Sequence, residues 1–136
     1  MKVEESIFAN QILQKHSFTF GDFFFFENFI VSEVKEGALF NWSTGKKVLE
    51  VAAKFYPSLE KLHYISNRIY DYGIDPRGWA KFSQNKYKLK SFIVVTYTET
   101  GLNNMLFEKI FYPSHIKRFE SLGDAIKAIK QNTLQH

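Results

Sequence analysis

The sequence predicts an α/β protein, a mixed β-sheet with helices packed on it, in the order β-β-(β)-α-β-α-β-α-β-α. Three observations carry this prediction. Apolar runs of strand length ("FFFF", "FIVSEV", "KLHYIS", "SFIVVTYT") are separated by stretches whose apolar residues recur at helical spacing. Helix-start signals precede those stretches at Asn41, at Asp75-Pro76 and at Ser121. The four consecutive phenylalanines cannot share one side of a strand, so either both faces are covered or one feeds the core and the other a neighbour.

In chain order, residues 1–16 read as an extension that packs on the body or frays, and residues 17–136 as one domain. "SFTF" alternates as a strand, Gly21-Asp22 is expected to turn, and Glu27-Asn28 turns again before "FIVSEV". Asn41 caps a helix to about Tyr56, with Trp42, Gly45, Leu49, Ala52, Phe55 and Tyr56 inward and Lys46, Lys47, Glu50 and Lys54 outward. Pro57 stops it. After "KLHYIS", Asp75 as N-cap and Pro76 at the first helical position open a short helix that turns Trp79 and Phe82 inward. "SFIVVTYT" is continuous and β-branched, which suits a central strand. Thr100-Gly101 turns into a helix with apolar positions Leu102, Met105, Leu106 and Ile110, ended by Pro113. "HIKRF" suits an edge strand, and Ser121 with Asp124 caps the last helix.

The chain has 136 residues, 45% hydrophobic and 24% charged, as in ordinary soluble globular proteins. Its 15 Phe, 7 Tyr and 2 Trp are a surplus that either fills the core or lines a pocket. The absence of cysteine rules out disulfides, thiol catalysis and thiolate metal sites. The opening residues carry Glu4 and Glu5 and lack a secretory pattern, and no apolar run approaches the ~20 residues of a membrane helix. Cytoplasmic localisation is the expectation. Charge is uneven: residues 1–60 hold 6 Lys against 8 acids, and residues 61–136 hold 12 Lys plus Arg against 6 acids. The densest stretch, "RGWAKFSQNKYKLK", reads either as a solvated helix face or as a surface for an anionic partner. Its Trp79 and Phe82 look like a buried face, so stacking on nucleic acid is not expected.

The element order, with "FFFFENFIVSEVKEG", "HYISNRI", "FIVVTYTETG" and "IKRFESLGDAIKAIK", resembles the SpoIIAA-like branch of the STAS superfamily, which is related to the lipid-binding Sec14 domains. These phrases are similar to small bacterial STAS-like proteins, and the resemblance spans Phe23 to Lys130, about four fifths of the chain. None of these phrases is a catalytic signature, so the resemblance implies a STAS-like fold more than an activity, and no cofactor is expected. In the family's anti-sigma-factor antagonists, a phosphorylatable serine sits in an Asp-Ser-Ser/Thr-Gly-type loop at a strand end. The comparable place is Ser66-Asn67-Arg68, where no acid precedes Ser66, no second hydroxyl follows, and glycine comes only at Gly73.

That strand end is the candidate site, because ligands of open α/β sheets sit outside the carboxyl ends of strands. Ser66, Asn67 and Arg68 bring a hydroxyl, an amide and a guanidinium, which suit an anion or carboxylate. The alternative is that Asn67 makes a turn and Arg68 pairs with Asp71 or Asp75. Tyr70, Tyr72 and Asp75 form the expected rim, with the tyrosines as pocket wall or loop packing. His16, His63, His115 and His136 are too scattered for a metal, and His63 reads as packed or hydrogen-bonded. No nucleophile elbow or glycine-rich phosphate loop is present.

The expected function is therefore non-enzymatic: binding of a protein partner or of a small anionic or apolar ligand at Ser66–Arg68. The alternative is a Sec14-like lipid or fatty-acid carrier with an aromatic-lined cavity. Facing carboxylates, or a histidine beside Ser66, would speak for an enzyme instead. A free strand edge or the aromatic hairpin would allow a homodimer.

Overall fold

The four phenylalanines divide between two layers. Phe23 and Phe25 point to one face of the sheet, Phe24 and Phe26 to the other, and all four are buried. Coverage of both faces is thus the arrangement adopted. The computed structural model describes residues 1–84, 88–111 and 116–132.

The elements follow as β1 (Gln14–Phe18), β2 (Gly21–Phe25), β3 (Phe29–Val34), β4 (Leu39–Phe40), α1 (Trp42–Phe55), β5 (His63–Arg68), β6 (Gly73–Ile74), α2 (Arg77–Gln84), β7 (Ser91–Thr96), α3 (Glu99–Phe111), β8 (Ile116–Phe119) and α4 (Leu122–Lys130). Six strands form one sheet in the order β1-β2-β3-β5-β7-β8, and β4 and β6 form a separate parallel pair. β1, β2 and β3 are antiparallel neighbours, whereas β3, β5, β7 and β8 run parallel. The mixed α/β class read from the sequence is the one observed. β7 pairs on both sides and the polar β8 takes the edge, as their compositions suggest.

One layer packs α1 against Phe23, Phe25, Ile30 and Tyr64, with Met105 of α3 against Val94. The other packs Leu122, Ala125, Ile126 and Ile129 of α4, together with Val3 and Phe8, against Phe24, Val31, Ile65 and Val95. The N-terminal residues therefore pack on the body, with Val3 entirely buried. Among the described residues, no helix is long and apolar enough to cross a membrane.

Caps act where their residue types indicate. The Asn41 side chain accepts from Thr44 N at 3.1 Å, and Thr44 Oγ1 accepts from Asn41 N at 2.8 Å. Such a reciprocal cap contributes about 1 kcal/mol. Ser121 Oγ accepts from Asp124 N at 3.0 Å. The Asp75 carboxylate accepts from Arg77 N at 3.1 Å, and the helix begins at Arg77 rather than Pro76.

Four details differ from the sequence expectation. β1 begins at Gln14, three residues before "SFTF". The first reversal falls at Thr19-Phe20, and Gly21 and Asp22 lie inside β2, where a Cβ on Gly21 would meet the Glu33 carbonyl oxygen at 2.7 Å. The close approach of β3, not a turn, explains that glycine. β5 continues through Arg68 instead of ending at Ser66.

The fourth concerns α3. It begins at Glu99, with Thr98 Oγ1 accepting from Gly101 N at 3.0 Å. A Cβ on Gly101 would lie 3.8 Å from Thr96 Cβ, so this side of the helix rests on β7. The inward stripe is then Gly101, Met105 and Glu108, while Leu106 and Ile110, read as core positions, are 50% and 75% exposed. Pro113, His115, His136, Lys86 and Tyr87 lie outside the described residues.

Candidate functional site

Ser66, Asn67 and Arg68 are the last three residues of β5, so strand alternation sends them to opposite faces. Ser66 and Arg68 turn toward the α1–α3 layer and border a cavity of about 90 Å³. Asn67 turns toward the layer of α4 and the N-terminal residues. All three are buried.

On the cavity side, Arg68 closes a fork on Glu108 of α3: Nη1 donates to Oε2 at 2.5 Å and Nη2 to Oε1 at 3.1 Å. Arg68 Nε donates to Ser66 Oγ at 3.0 Å, which is 3.2 Å from the Tyr72 hydroxyl. Trp79 Nε1 donates to Glu108 Oε1 at 3.1 Å. Burial works against the guanidinium charge, but Tyr72 and Glu108 outweigh it and hold Arg68 above its ordinary value. Burial also pushes the Tyr64 hydroxyl well up.

The cavity lies between the sheet, α1 and α2. Seven aromatic side chains line it: Phe40, Trp42, Tyr64, Tyr72, Trp79, Phe82 and Phe92. Trp79 meets Phe92 edge-on with centroids 4.6 Å apart, and Phe92 stacks on Tyr64 at 5.1 Å. The loop after β5 is held in place as a wall. Gly73 N donates to Ala38 O at 2.8 Å, Asp75 N to Phe40 O at 2.9 Å, and Asn104 Nδ2 to Tyr72 O at 3.3 Å.

The sequence candidates thus separate. Ser66, Arg68, Tyr72 and Asp75 all border the cavity. Tyr70 does not; its ring lies 5.5 Å from Lys2 Nζ. The partner of Arg68 is Glu108, not Asp71 or Asp75: Asp71 accepts from Thr98 Oγ1 at 2.9 Å, and Asp75 pairs with Arg77 at 2.7 Å. Two carboxylates, Glu108 and Asp75, border the cavity, and each is held by an arginine. His63 lies three residues before Ser66, with Nδ1 2.6 Å from Ser91 Oγ.

The Asn67 carbonyl accepts from Ile69 N at 3.0 Å, a tight backbone turn at the strand end, and its side chain is engaged separately. Its Nδ2 donates to Met1 O and to Glu33 Oε2, both at 2.9 Å, and its Oδ1 accepts from the Tyr97 hydroxyl at 2.7 Å. Glu33 Oε2 also accepts from Val3 N at 2.8 Å. Burial pushes the Glu33 carboxyl up, against the hydrogen bonds from Val3 and Asn67. Burial, then the nearby Glu33, push the Tyr97 hydroxyl up to about 12. This network ties the N-terminal turn to the ends of β3 and β5.

Sequence reasoning missed Glu108, Trp42 and Tyr64 as cavity residues. A readable signal for Glu108 existed: it falls on the same helical stripe as Gly101 and Met105.

No protein-family model, curated protein or solved structure matches the chain. The chain is a mixed α/β domain with an aromatic cavity at the end of a buried strand.

Proposed function

We propose that the chain is a non-enzymatic binding domain whose ligand is a compact molecule held in the aromatic cavity at Ser66–Arg68. The observation that carries this is the cavity's composition: seven aromatic side chains line the space, and Ser66, Tyr72, Arg68, Glu108 and Trp79 supply polar groups. Ligand sites are mostly apolar with a few placed polar groups, and in parallel sheets they lie beside strand carboxyl ends. At about 90 Å³ the space is smaller than the ~150 Å³ of a cavity that holds benzene, so a single ring would fill it and extend out of its open side.

The sequence resemblance leaves a STAS-like regulatory role, with a partner protein at the same strand end, as the companion proposal. The burial of Ser66 and Arg68 favours a molecule that enters over a surface that docks. A Sec14-like lipid or fatty-acid carrier is the second reading, favoured by the aromatic walls.

Native mass spectrometry of the purified protein, before and after organic extraction, tests these readings. An extractable extra mass of ring size supports the compact ligand, and a mass of acyl-chain size supports the carrier. Bare protein that also shows no thermal stabilisation with any ring-sized compound would leave the cavity as a packing feature.

A further inference from the structure

Arg68 carries its own counter-ion into the cavity. Two of its nitrogens face the Glu108 carboxylate, both side chains are almost completely buried, and the pair adds no net charge. A ligand entering this space meets a neutral network. We infer that the cavity selects an uncharged ring bearing a hydrogen-bond acceptor, and that Glu108 sets this preference by cancelling the Arg68 charge. The inference rests on the cavity being a ligand site.

Donor and acceptor capacities point the same way. A guanidinium has five N–H groups, and three are directed at Ser66 and Glu108. Ser66 and Tyr72 share one hydrogen bond between two hydroxyls, so one O–H remains beyond it. The Glu108 carboxylate already accepts three hydrogen bonds, from Arg68 twice and from Trp79. Around Arg68 the network keeps two N–H groups and one O–H beyond its internal bonds, which suit a carbonyl or amide oxygen, and its strongest acceptor, Glu108, is already engaged by Arg68 and Trp79. A carboxylate on the same ring would find its attraction to Arg68 offset by Glu108, and it would enter an aromatic space without a counter-charge. An amidinium would have to compete with Arg68 for Glu108.

Both tryptophans of the chain, Trp42 and Trp79, line the cavity, so intrinsic fluorescence reports on it directly. Titration with benzamide, benzoate and benzamidine at pH 7.5 compares one ring in neutral, anionic and cationic form. Benzamide is expected to bind at least tenfold tighter than either ion. In Glu108→Gln, which keeps the shape but frees the Arg68 charge, the order should reverse in favour of benzoate. Benzoate binding the native protein as tightly as benzamide would overturn the inference while leaving the ligand-site reading intact. No response to any of the three, in fluorescence or thermal shift, would overturn the inference, and the ligand-site reading falls with it when native mass spectrometry also finds the protein bare.

Should Glu108→Gln fail to fold, the double variant Arg68→Met, Glu108→Leu removes both charges together. Its preference for benzamide over toluene is expected to fall below that of the native protein, to what the Ser66, Tyr72 and Trp79 donors supply. An undiminished benzamide preference in the double variant would overturn the role assigned to the pair.

Discussion

The Arg68 guanidinium and the Glu108 carboxylate meet in a fork across 40 residues of sequence, with side chains 4% and 3% exposed. The pair joins β5 to α3 through the interior. Removing one partner leaves a buried charge without compensation, which typically destabilises by about 3–5 kcal/mol. Glu108→Leu alone is expected to lose stability on that scale. Arg68→Met with Glu108→Leu should return close to the native value. Urea unfolding of the four proteins in the double-mutant cycle measures the coupling. Additive losses would show that the fork contributes nothing beyond its two separate side chains.

Trp79→Phe keeps a ring in the cavity wall but deletes the indole N–H that donates to Glu108. A hydrogen bond to a charged group contributes about 1.5–3 kcal/mol, so a loss of that order is expected. Unchanged stability by urea titration would mean that water replaces the indole without penalty.

Asn67→Ala acts on the opposite face. It removes hydrogen bonds to Met1 O, Glu33 and Tyr97. A destabilisation of roughly 2 kcal/mol is expected, with faster hydrogen exchange at Val3. Cavity binding should be untouched. A change in ligand affinity comparable to that of Arg68 variants would contradict the separation of the two networks.

Glu33 gives a pH signature. Its carboxyl is raised in the folded protein, so the folded state binds the proton more readily than the unfolded chain does. Its contribution therefore favours folding at low pH and is lost as pH rises from the ordinary glutamate value of 4.5 through the higher folded value. Glu33→Gln, whose amide oxygen can accept from both Val3 and Asn67, should remove this fall. Stability curves of the two proteins between pH 4 and 8 are expected to converge at the acid end and to separate above it, with the variant higher.

The strands, the helix order and the caps at Asn41 and Ser121 were legible because their causes are local. "FIVVT" is β-branched, and Asn41 and Ser121 are short acceptors placed before apolar helical stripes. The strand end at Ser66-Asn67-Arg68 was legible as a place but not as an arrangement. Three polar residues after an apolar run look like a loop when their partners are invisible. Those partners, Glu108, Tyr72, Glu33, Tyr97 and the backbone of Met1, come from five separate regions of the chain. Once the strand is extended to Arg68, its period of two would have placed Asn67 opposite its neighbours. The phase of α3 was harder to read. Leu106 and Ile110 are as apolar as any core residue, and only the close rest of Gly101 on β7 decides that Glu108 turns inward instead.

α2 has no fully buried residue, although it roofs the cavity with Trp79 and Phe82. Its contacts with the body include the Trp79 and Phe82 rings, one indole hydrogen bond and the close approach of Gly78 to the Trp42 backbone. Segments with so little buried surface open locally at free energies well below that of global unfolding. The amides of this one short helix are then expected to exchange their hydrogens faster than those of the six-stranded sheet beneath it.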